Sequence, residues 1–162
     1  MKREISILFT VILIFVTALR AMAQEDIFCP NKHIFLTIVV DTGPTSGSTW
    51  KQIKILAKES IARLAPGDKL EIITARPGNP VLSVKTTLDS SCISDYSIYR
   101  SIDHIQQAFF LSRADVAKAI ELAFEHLNRY SNDYLCCLLV LSDGRLSDHQ
   151  IRQIRRLATA YR

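Results

Sequence analysis

The sequence predicts an α/β domain in three layers, a mostly parallel sheet with helices on both faces and one antiparallel edge strand. Three observations carry this. Short apolar, β-branched runs alternate with segments whose apolar residues recur at helical spacing. A helical segment separates the first two runs, so a right-handed parallel crossover is expected to join them. Acidic residues, Asp41 and Asp143, close the first and last runs, at the strand ends where such sheets carry their chemistry.

Each element follows in order. Ile34 to Val40 is a continuous apolar run suited to a central strand buried on both faces, and it ends at Asp41. A turn-forming stretch, Asp41 to Thr49, leads into Trp50, Ile53, Leu56, Ala57, Ile61 and Leu64, spaced as the inner face of a helix that Pro66-Gly67 terminates. Leu70 to Ala75 is the second strand, and the reversal at Pro77-Gly78-Asn79-Pro80 makes Val81 to Thr86 its antiparallel neighbour. Polar residues follow to about Asp95. Ile98, Ile102, Ile105 and Phe109 mark one helix; Val116, Ala119, Ile120, Ala123, Phe124 and Leu127 mark the next. Leu135 to Leu141 is another buried strand, ending at Ser142-Asp143-Gly144. The last helix begins near Ser147, which with Gln150 forms a capping box, and turns Ile151, Ile154, Ala158 and Tyr161 inward.

The chain has 162 residues, 48% hydrophobic and 22% charged, enough for one well-cored domain and too apolar for long disordered tracts. Met1-Lys2-Arg3, the apolar run Ile5 to Leu19 and the step Ala21-Met22-Ala23 read as a secretory signal peptide over residues 1–23. The alternative is a retained anchor, which Arg20 cuts short. Cleavage leaves a domain over residues 24–162, periplasmic or secreted, with no stable membrane insertion. Without the leader, 17 basic residues face 15 acidic ones. A balance that small gives no case for nucleic acid. The local basic cluster, Arg145, Arg152, Arg155, Arg156 and Arg162, reads as the solvated face of the last helix.

Export makes structural thiols or disulfides the expectation for the four cysteines. Cys29 precedes the first strand and Cys92 follows the antiparallel one, so both belong at the sheet end opposite the aspartates, and a Cys29–Cys92 bridge is the favoured pairing among those open. Cys136 and Cys137 are adjacent on a strand and face opposite ways. His33, His104, His126 and His149 are scattered over different elements and read as structural or surface residues.

The convergence of Asp41 and Asp143 is the most informative feature. With the hydroxyls of Thr45, Ser46 and Ser48 they form an oxygen-rich rim suited to Mg²⁺ or Mn²⁺. The simpler alternative has Asp41 and Ser48 capping the following helix and Asp143-Gly144 making a turn.

Ile38 to Ser48, Leu64-Ala65-Pro66-Gly67-Asp68-Lys69-Leu70, and Leu139-Val140-Leu141-Ser142-Asp143-Gly144 together resemble the von Willebrand factor type A (vWA) domain. The likeness spans about Ile34 to Tyr161. It implies a strand order 3-2-1-4 and an adhesion or assembly module that binds a protein ligand's carboxylate through Mg²⁺ or Mn²⁺. Of the family's pattern D-x-S-x-S, Asp41 matches the aspartate, Gly43 stands at the first serine and Thr45 keeps the second hydroxyl; Asp143 matches the later aspartate. Ala114 stands where the family places a threonine, with Ser112 or Asp115 as substitutes, as Ser46 or Ser48 would be for the missing serine. The family's sheet continues beyond this point, so the fourth strand is expected as an apolar edge, covered by a partner, a second copy or the last helix.

Other readings compete. A metal-free scaffold of an envelope complex needs no cation. A haloacid-dehalogenase-like phosphatase would use Asp41 as nucleophile and Thr74 at the second strand end, but its general acid would fall at Gly43. Asp41-Thr42-Gly43 also matches the aspartic-protease triplet, which the helical patterns contradict. A non-enzymatic binding module is the preferred reading.

Overall fold

A computed structural model describes residues 32–89, 96–108 and 114–161. The leader, Cys29, Cys92, Phe109, Ser112 and Arg162 lie outside the described residues.

The order is β1 (Ile34–Asp41), α1 (Gly47–Ile61), β2 (Lys69–Ala75), β3 (Val81–Thr87), α2 (Tyr96–His104), α3 (Val116–Tyr130), β4 (Leu135–Leu141) and α4 (Asp148–Ala160). The strands lie β3-β2-β1-β4, with β1 parallel to both neighbours and β3 antiparallel to β2. This is the architecture and strand order expected from the sequence.

Alternation along β1 supplies both layers. Leu36, Ile38 and Val40, with Leu70 and Ile72 of β2, pack against Ile53, Ala57 and Ile61 of α1 and Ile98 and Ile102 of α2. On the other face, Val39, Ile73 and Ala75 meet Val116, Ala119, Ile120 and Ala123 of α3. Lys58 Nζ lies 2.7 Å from one Asp103 carboxylate oxygen and 2.8 Å from the other, and Lys54 Nζ donates to the Asp103 carbonyl at 2.6 Å, tying α1 to α2. At the lower end of the sheet, the buried Asp68 carboxylate accepts the Ile34 and Ala65 N–H groups, each at 2.8 Å. The turn before it requires Gly67: its φ is 92°, and a β-carbon there would stand 2.3 Å from the His33 ring.

Three expectations are corrected. The first helix ends at Ile61, so Leu64 is buried beyond it, and Leu56 is 43% exposed. The buried stripe Ile53, Ala57, Ile61 is spaced by four, and Leu56 falls outside that narrow face. In α4, Ala158 points outward and no side chain is fully buried, because this helix has α3 on one side only; Ile151, Ile154 and Leu157 are half-buried, and Tyr161, just past the helix, is exposed on one side while its ring stacks on Phe124 with centroids 4.6 Å apart. In β4 only Leu141 is fully buried, since the strand is an edge with β1 as its one described neighbour.

Ile72→Ala removes a side chain sealed on all sides and is expected to cost about 2–5 kcal/mol, while Leu56→Ala should stay within about 0.5 kcal/mol. Urea unfolding of the two variants checks the assignment of α1's inner face.

Candidate functional site

Parallel pairing of β1 with β4 sets Val40 beside Leu141, which brings the residues that follow, Asp41 and Ser142, together at the strand C-terminal rim. Ser142 Oγ donates to Asp41 Oδ2 at 2.7 Å, and the Gly43 N–H donates to Asp41 Oδ1 at 2.8 Å. Ser142 Oγ accepts the Gly144 N–H at 3.2 Å, in a turn that Gly144 enters with φ 79°. Asp143 accepts the Arg145 N–H at 3.0 Å, with the Arg145 guanidinium 3.5 Å away. The fully buried Thr42 binds the second strand: its hydroxyl donates to the Ala75 carbonyl at 2.6 Å, and its own carbonyl accepts the Ala108 N–H at 2.7 Å.

Burial pushes the Asp41 carboxyl above the usual carboxylate range; the Ser142 hydroxyl and the Gly43 N–H pull the other way, and the Asp143 charge adds to the rise. Asp41 is thus a desolvated acid held by two protein donors, with a second carboxylate near enough to be felt.

The remaining predicted residues are occupied locally. Ser46, rather than Asp41 or Ser48, is the N-cap of α1: its hydroxyl accepts the Thr49 N–H at 3.2 Å and shares hydrogen bonds with Ser48 and Thr49. Thr45 presents its carbonyl to the Gln107 amide at 3.3 Å. Asp115 caps α3, accepting the Lys118 N–H at 3.0 Å. Ala114 is buried, and its carbonyl accepts the Gln150 amide at 2.8 Å.

This donor set does not fit the cation that the vWA resemblance implies. Neither Gly43 nor Ala114 has a hydroxyl to offer, a β-carbon at position 43 would stand 3.0 Å from Asp41 Oδ1, and both Asp41 oxygens are engaged by protein donors. Among the described residues no group of three or more His, Cys, Asp or Glu side chains is placed to hold a metal ion. The residue that sequence reasoning passed over is Ser142. Its signal was its place next to Asp143 at the end of an apolar strand.

A second polar cluster, which the sequence did not announce, sits at the opposite end of the sheet. Glu71 of β2 is buried under α3, with Lys85 Nζ 3.0 Å from one oxygen and His126 Nδ1 2.9 Å from the other. Lys69 Nζ lies 3.9 Å from the centre of the Tyr130 ring and 4.7 Å from that of Tyr134. Lys69, Glu71, Lys85, Thr87 and Tyr130 line a cavity of about 200 Å³. Each cation already faces a carboxylate or a ring, so the cluster reads as a fastening between β2, β3 and α3.

No family model matches the chain, and no curated protein matches it in sequence. Solved structures do match. The TFIIH p34 N-terminal domain is similar with a TM-score of 0.54 and 16% identity, over 80% of this chain and 75% of that one. The fold is vWA-like.

The raised Asp41 pKa carries a sign. The folded state binds the Asp41 proton more tightly than the unfolded state does, so this group's contribution is most favourable at low pH and is lost as pH rises past the ordinary carboxylate value toward the raised one. Asp41→Asn should therefore flatten that part of the stability profile and gain on the wild type as pH rises. Ser142→Ala should steepen it and cost about 1–3 kcal/mol at neutral pH. Urea melts between about pH 4 and about pH 7 measure both.

Proposed function

We propose that the chain is an exported, non-enzymatic protein-binding or assembly module whose partner adds to the free edge of β4. The contrast between the sheet's two edges carries this reading. β3 is guarded by Lys85, by the polar Ser83, Thr86 and Thr87, and by a register shift opposite Ile72 and Ile73. β4 reads Leu-Cys-Cys-Leu-Leu-Val-Leu, with no charge or proline, and all but its last residue is half-exposed. Among the described residues nothing pairs with its outer side. Natural sheets blunt such edges, and an unblunted one is a template for strand addition.

The vWA-like fold, seen also in the TFIIH p34 N-terminal domain, supports a binding scaffold. The basic, apolar and A-x-A pattern of residues 1–23 supports delivery to the periplasm or beyond, where a subunit of an envelope complex is a fitting partner. At the rim, the hydrogen bonds of Asp41 to Ser142 and Gly43 favour the metal-free form of the module over one that grips a ligand carboxylate through Mg²⁺ or Mn²⁺. Gly43 also leaves a phosphatase without its general acid.

A photo-reactive amino acid at Leu135, on β4, should cross-link one defined protein in cells, and the same group at the exposed Leu56 of α1 should not. Equal labelling from both positions, or none from Leu135, sinks the edge as the docking route. Adding millimolar Mg²⁺ or Mn²⁺ should leave the melting midpoint unchanged; a rise that Asp41→Ala abolishes would restore the cation reading.

A further inference from the structure

Resting on strand addition at β4, we infer that the segment it receives is acidic and is held by the arginines of α4. The helix lies beside α3 and closes the same layer over the outer strand: Leu138 and Val140 of β4 share a cluster with Leu146, Ile154 and Leu157. α4 therefore flanks the margin of the sheet at which the added strand would run.

The exposed side of this helix is mainly basic. Arg152, Arg155 and Arg156 are exposed, and none is ion-paired to another described residue. Asp148, in the first turn, is the one acidic residue of the helix. His149, Arg152, Gln153 and Arg156 line an open depression of about 340 Å³, and Arg155 and Arg156 border its neighbour. Arg152 and Arg156 stand four apart, where like charges repel and destabilise an isolated helix. Among the described residues no carboxylate lies within ion-pair distance of these arginines. A carboxylate-bearing strand supplies what both features lack, backbone partners for β4 and anions for the arginines.

The alternatives satisfy only half of this. Two copies paired antiparallel through β4 would extend one sheet and set both arginine-bearing helices on the same face, juxtaposing like charges. An anionic bilayer would meet the arginines, but it offers β4 no strand, and Ile154 and Leu157, the large apolar residues of α4 that a membrane would receive, pack on the protein instead.

The test uses three synthetic peptides on one Val/Thr-rich strand core: one with glutamates at its ends, one with lysines there, and one with the glutamates but a proline in the core. Fluorescence polarisation against the purified chain at low salt should show the acidic strand binding about tenfold or more tighter than the lysine form. The preference should vanish with Arg152→Gln/Arg156→Gln, a variant of exposed side chains whose circular dichroism checks the fold. Proline should weaken binding, and hydrogen exchange should show the acidic peptide protecting β4 amides.

Equal binding of acidic and lysine peptides, with proline still harmful, overturns the acidic partner and leaves strand addition standing. Failure of all three overturns both. Proline-tolerant acidic binding separates the arginines from β4 and overturns the joint site. Arginine-dependent binding to phosphatidylglycerol vesicles without peptide binding transfers the patch to a membrane, and a dimer by sedimentation whose β4 amides are protected transfers the edge to a second copy; either result overturns the proposal.

Discussion

The structure depends on one constraint, that β1 must be hidden from both sides. Phe35, Leu36, Ile38, Val39 and Val40 are all buried, and because successive side chains point oppositely, one helix layer cannot cover them. α1 and α2 must seal one face and α3 the other, and such a strand is satisfied by parallel neighbours on both edges. Asp41 then follows without freedom. It extends a strand whose side chains from Phe35 onward are all inside, so its carboxyl enters a desolvated rim and must find donors there. Ser142 and Gly43 are those donors.

Polar groups do the fastening at both ends of this apolar layer. At the lower end Asp68 bonds the start of β1 to the turn before β2, and Glu71 draws a lysine from β3 and a histidine from α3. At the upper end Thr42 joins β1 to β2, while Asp41 joins it to the segment after β4. Apolar packing alone would tolerate a shifted strand; buried hydrogen bonds between specific residues penalise it, because a slip strands the partners without water. The rim is thus better understood as a closed hydrogen-bonded joint than as an open ligand cage.

Much of this was legible in the sequence for physical reasons. A run such as Ile34 to Val40 has few stable homes besides a central strand, the Val116 to Leu127 spacing admits one helix face, and the Ser147–Gln150 capping box formed as read. What stayed hidden depends on neighbours. Glu71 sits in a strand that reads as apolar, and only the arrival of Lys85 and His126 from distant elements makes its burial tolerable. The exposure of Leu56, Ala158 and Tyr161 reflects how much of each helix its neighbours cover, a quantity periodicity does not contain. Of the rim, the meeting of the Asp41 and Asp143 segments was legible, whereas the choice of Ser142 as the donor to Asp41 was set by the register of β1 on β4.

The adjacent thiols of β4 carry a consequence of another kind. Cys136 lies on α3's side, its thiol 3.3 Å from the Leu127 carbonyl, while Cys137 packs against the cluster beneath α1 and α2, where burial pushes its thiol pKa up. Two sulfur-bearing side chains on adjacent residues therefore look into separate layers of the same molecule. Thiolate formation needs access to water, so Cys137 is a clock for the opening of the layer beneath α1 and α2. Its alkylation rate would tell how often that half of the protein breathes.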